Sequence, residues 1–130
     1  MIALISRDAG GAEFISRYAS KQKEKFCLAG TGPAVKIFKK KFKNKKIINY
    51  KKAIKISDWI LCSTGTSSDY EKNAILFAKK QKKKIIAYID HWVEYRERFL
   101  KKKKLIRPDE IWVSDKYALN IAKKNNLRNV

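Results

Sequence analysis

The chain has 130 residues, 45% of them hydrophobic, and a formal charge of +20, which suits one domain with a buried core and excludes an intrinsically disordered chain. No apolar run reaches the roughly 18 residues that span a bilayer, and the start Met-Ile-Ala-Leu-Ile-Ser-Arg-Asp lacks the basic and long apolar stretches of a secretory signal. The charge comes from 26 lysines against six arginines, a bias that A/T-rich coding also produces, so it points only weakly to nucleic acid.

Short apolar runs alternate with amphipathic segments, the pattern of repeated βα units around a parallel sheet. The first strand is Ile2 to Ser6, followed by a helix to about Gln22 that carries Phe14, Ile15, Tyr18 and Ala19 on its apolar face. The second is Phe26 to Ala29; Pro33 then opens a helix with Val35, Ile37, Phe38 and Phe42 on its buried side. A weaker strand, Ile47 to Tyr50, precedes a short helical piece, and Trp59 to Cys62 reads as a fully buried strand. A helix to about Lys80 places Tyr70, Ala74, Phe77 and Ala78 on one side. The strand Ile85 to Ile89, a break at Pro108, the strand Ile111 to Val113 and a helix from Lys116 to about Lys124 complete the pattern. The expectation is one α/β domain over 1–130, with about six strands and helices on both faces. The two cysteines, Cys27 and Cys62, fall inside strands and are expected as buried free thiols.

In open α/β sheets, ligands bind beyond the carboxyl ends of the strands. The polar loops converge on that edge: Asp8, Gly10 and Gly11 after the first strand, Gly30 to Gly32 after the second, Ser63 to Ser68 after the fourth, Asp90-His91-Trp92 after the fifth, Asp115 after the sixth. Thr64, Gly65, Thr66 and Ser67 precede a helix whose N-terminus would attract an anion; equally, Ser68 and Glu71 could form a capping box there. The glycine loops could instead be plain turns. They match neither the G-x-G-x-x-G nor the Walker pattern, so no nucleotide cofactor is expected. His91 is the chain's sole histidine. Beside Asp90 it reads either as an acid/base pair or as a structural contact. Trp92, Tyr95, Arg96 and Arg98 follow as ligand candidates; arginines two apart do not share a helical face, so one of the two is expected to point inward. One histidine and two separated cysteines give no metal-ligand spacing.

The lysine runs Lys39 to Lys41, Lys79 to Lys84, Lys101 to Lys104 and Lys123-Lys124 are expected at helix C-termini, on the edge opposite the crevice. That edge could meet an anionic membrane surface; nucleic acid is disfavoured, because no aromatic residues flank the 101–104 run for base stacking.

The succession Asp8-Ala-Gly-Gly-Ala, Ser63-Thr-Gly-Thr-Ser with Glu71, Asp90-His91-Trp92-Val-Glu-Tyr95-Arg96-Glu-Arg98-Phe99 and Pro108-Asp-Glu-Ile-Trp112-Val-Ser-Asp115 resembles bacterial surface-polysaccharide biosynthesis proteins. These are similar to the N-terminal half of two-domain GT-B glycosyltransferases and of nucleotide-sugar 2-epimerases. The resemblance implies a three-layer Rossmann-like fold, a sugar, sugar-phosphate or nucleotide-sugar ligand, and glycosyltransferase-like chemistry in the cytoplasm or at the inner face of the membrane. Such enzymes bind the donor mainly through a second domain. A partner protein, or a homo-oligomer, would then complete the site. The contrasting expectation is a non-catalytic module that binds through its lysine edge.

Overall fold

The computed structural model describes residues 1–90, 94–125 and Leu127. In chain order the elements are β1 (Ile2–Ser6), α1 (Ala9–Lys21), β2 (Phe26–Gly30), α2 (Pro33–Lys41), α3 (Tyr50–Ile56), β3 (Trp59–Cys62), α4 (Tyr70–Lys80) and β4 (Lys84–Tyr88). A 3-10 turn (Glu97–Phe99), the two-residue strands β5 (Leu100–Lys101) and β6 (Lys104–Leu105), β7 (Glu110–Trp112) and α5 (Lys116–Lys124) follow.

Five strands form one parallel sheet in the order β2-β1-β3-β4-β7. Strand β1 lies near its centre, and all five of its residues are buried. Successive side chains of a strand point to opposite faces, so Ile2 and Leu4 join a core with Ala12 and Ile15 of α1 and Ala34 and Phe38 of α2. Ala3 and Ile5 join a second core with Ala53 and Ile54 of α3, Ala74, Ile75 and Ala78 of α4, and Ala118 and Ala122 of α5. A strand covered on both sides has no polar face, hence the uninterrupted apolar runs. The molecule is thus a three-layer α/β structure. Among the described residues no helix is long and apolar enough to cross a membrane.

Two sequence expectations are corrected. Among the described residues the sheet has five strands, not six: the segment from Ile47 makes only a single parallel bridge to Leu28, with Ile48 N–H donating to Leu28 O at 2.8 Å. The reason is local. Asn49 caps α3, its Oδ1 accepting from Lys51 N–H at 2.8 Å, so the extended stretch ends after two apolar residues. The segment at Ile47 thus lies on the open side of β2. Counting it as a strand would turn the order into the 3-2-1-4-5-6 winding of doubly wound sheets. The second correction concerns Lys101–Lys104, which form no helix C-terminus. They belong to the β5–β6 hairpin, whose turn residues Lys102 and Lys103 both have positive φ (50° and 65°).

Candidate functional site

The chain leaves β1 on one side towards β2 and returns on the other side to β3. Loops that follow β1 and β3 therefore diverge and leave a crevice above the strand ends, where doubly wound sheets bind ligands. Residues 7–11 form one wall and 63–69 the other, with Asp90 and the 94–99 segment beside them.

The floor is a buried polar weld. Ser63 Oγ donates a short hydrogen bond to Glu71 Oε2, which also accepts from the backbone N–H of Arg7 (3.1 Å) and of Asp8 (3.3 Å). Ser6 Oγ lies 2.6 Å from Ser63 Oγ and donates to the Asp8 carbonyl at 2.9 Å. Glu71 is buried; its carboxylate, expected at the ligand or in a capping box, is turned onto the β1 loop. The capping box does not form: Ser68 Oγ accepts from Tyr70 N–H, and Asp69 occupies the N-cap position. Gly11 packs so closely on this floor that a Cβ there would sit 2.2 Å from the Cβ of Ser63. A Cβ on Gly65 would lie 3.3 Å from Glu71 Oε1.

Above the floor two carboxyls meet. A Cβ on Gly10 would fall 2.2 Å from Asp90 Oδ2 and 3.5 Å from Asp8 Oδ2, so the missing side chain leaves the space they share. Asp8 caps α1, with Oδ2 accepting from Gly11 N–H at 2.9 Å. Burial, and then a hydrogen bond with the Asp90 carboxyl, hold the Asp8 carboxyl above its ordinary range. Asp90 also accepts from Arg98 Nη1 at 2.9 Å, with both side chains about 5% exposed. The same Nη1 donates to Thr64 O and Thr64 Oγ1, each at 3.1 Å, while the Thr64 hydroxyl donates to Tyr88 O at 2.9 Å. Arg98 is therefore the inward arginine, and Arg96 is exposed. Tyr95 is buried, its hydroxyl without a hydrogen-bond partner among the described residues, and burial pushes its phenol above the ordinary value. His91 and Trp92 lie outside the described residues.

The mouth of the crevice is cationic and hydroxylated. Arg7 Nη1 donates to Ser67 Oγ at 2.6 Å, joining the β1 and β3 walls. Its stem rests against Gly32, whose φ of +57° favours glycine and where a Cβ would lie 3.2 Å from Arg7 Cγ. Thr66 Oγ1 donates to Glu94 Oε2 at 3.0 Å, tying this loop to the 94–99 segment. Sequence reasoning missed Arg7 and Ser6. The available signal for Arg7 was an arginine directly after a strand, in a chain that otherwise uses lysine.

Among the described residues no group of three histidine, cysteine, aspartate or glutamate side chains is placed to hold a metal. Cys27 and Cys62 are free; Cys27 is only half-buried, contrary to expectation, whereas Cys62 is buried, which pushes its thiol well above the usual value. A guanidinium among hydroxyls can take a phosphate or carboxylate, and a carboxyl pair can accept hydrogen bonds from a polyhydroxylated ligand. No protein-family model matches the chain, and no curated protein or solved structure is significantly similar to it.

Proposed function

We propose that the crevice binds a sugar phosphate or nucleotide-sugar, within a Rossmann-like domain of the kind that forms the N-terminal half of GT-B glycosyltransferases. The observation that carries this reading is the pairing of unlike ends at the β1/β3 switch point. The Arg7 guanidinium with Ser67 stands at one end, and the Asp8–Asp90 carboxyls lie deeper. A phosphate would be held at Arg7, and sugar hydroxyls would donate to the carboxyls. His91, next to Asp90 in the sequence, is the proposed acid/base, and Asp90 the group that orients it. The context is surface-glycan metabolism. Donor binding by a second domain would come from a partner or another copy.

Thermal-shift titration with nucleotide-sugars and sugar phosphates tests this. Wild type should be stabilised by at least one of them. Arg7→Ala should lose the shift for phosphorylated ligands, and Asp8→Asn should weaken it while the protein stays folded. A panel with no effect on wild type, or a shift that survives both changes, would overturn the proposal.

A further inference from the structure

The charge of the molecule is polarised along the strand direction. Asp8, Asp69, Glu71, Asp90, Glu94 and Asp115 lie on the crevice edge, after strands or at helix N-termini, where they offset Arg7, Arg98 and Lys116. At the opposite edge, where the strands begin and the helices end, the lysines gather: Lys39–Lys41 closing α2, Lys79 and Lys80 closing α4, Lys123 and Lys124 closing α5. The acids at that edge are already engaged. Glu24 and Asp58 pair with the N-terminal amine, Asp109 accepts from Ile85 N–H, and Glu110 pairs with Lys84. Of the lysines, Lys41 pairs with Glu13 and Lys79 donates to the Arg107 carbonyl, while Lys39, Lys40, Lys80, Lys82 and Lys84 are among the cations of this edge, and the excess of positive charge remains. A hollow of about 460 Å³ on this edge is lined by Lys79, Lys82, Lys83, Lys84 and Asp109. Beside it, at the end of α3, Ile56 is 49% exposed, and Lys83 Nζ bonds the neighbouring carbonyls of Lys55 (3.3 Å) and Ser57 (2.7 Å).

We infer that this edge docks on an anionic lipid surface and holds the crevice away from it. An aliphatic side chain among lysines suits the boundary between headgroups and acyl chains. Nucleic acid is read through arginine forks and stacked aromatics. Here the nearby rings of Phe26 and Phe77 are covered by Lys45, Lys51 and Lys55 of the chain itself.

Co-sedimentation with phosphatidylglycerol-containing vesicles, against pure phosphatidylcholine vesicles, tests the inference. The chain should bind only the anionic vesicles, and less tightly as salt rises. Replacing Lys40, Lys41, Lys80 and Lys82 with Gln should weaken binding at least about tenfold. Ile56→Ser should weaken it severalfold without changing its salt dependence. In a Cys27→Ser background, an environment-sensitive dye should respond to the vesicles at Lys82→Cys and not at Ser67→Cys. Binding without preference for anionic lipid, binding that survives the lysine changes, displacement of the chain from vesicles by duplex DNA, or an equal response at both dye positions would overturn it. None of these readouts depends on a ligand in the crevice.

Discussion

At the scale of single residues, the crevice depends on two adjacent glycines with different tasks. Gly11 lets α1 approach Ser63. Alanine has the better helix propensity, by roughly 1 kcal/mol, but its Cβ would meet the Ser63 Cβ and, at 3.4 Å, its backbone Cα. The clash therefore wins, and Gly11→Ala should destabilise by about 1–3 kcal/mol in urea unfolding. Gly10 leaves room for the carboxyl pair, which gives Asp8 a pH signature. Its folded-state pKa is raised, so the folded chain keeps that proton to higher pH than the unfolded chain does. The associated stability is fully present below the ordinary carboxyl value and is lost as pH rises through the raised one. Asparagine can keep the cap on Gly11 without the charge. Asp8→Asn should thus be more stable than wild type near neutral pH, with the difference shrinking towards acid; unfolding midpoints across a pH series would show this. A variant of equal or lower stability at neutral pH would contradict the account. Arg98 belongs to the same constellation. Arg98→Ala should cost roughly 3–5 kcal/mol, because it leaves the Asp90 carboxyl buried without its guanidinium.

At the scale of elements, the buried strands were legible because burial on both faces excludes polar residues: Ile2–Ile5, Trp59–Cys62 and Ile85–Ile89 read directly as strands. The β5–β6 hairpin was not. Two-residue hairpins signal themselves through Asn-Gly or Asp-Gly, and here the positive-φ pair is Lys102-Lys103, hidden in a lysine run. That pair is strained for L-residues. Replacing it with Asn-Gly should stabilise the chain by about 1 kcal/mol or more in denaturant melts, with unchanged secondary structure. The site was legible in outline, since a parallel sheet brings its loops to one edge. Its wiring was not. The Glu71 carboxylate is aimed by amides more than 60 residues away, at Arg7 and Asp8, and the direction of Arg7 depends on Gly32 and Ser67. No local pattern carries either relation.

At the scale of the whole molecule, a charge of +20 on 130 residues repels itself in the compact state. Salt screens exposed charges beyond about 10 Å at 0.1 M, so the thermal midpoint should rise as sodium chloride is increased from low to moderate concentration. A midpoint that falls would mean that the surface ion pairs outweigh the repulsion. The lysines also bear on the missing sixth strand. With only one bridge at Ile47, β2 is nearly an open edge, and such edges invite strands from other chains. Two of its outward carbonyls are nevertheless taken: Phe26 O accepts from Lys45 Nζ at 3.1 Å, and Leu28 O from Ile48 N–H. An ammonium group stands where an incoming strand would have to place an amide. The basic residue Lys45 between α2 and α3 thereby occupies part of the hydrogen-bonding edge that an added strand would need.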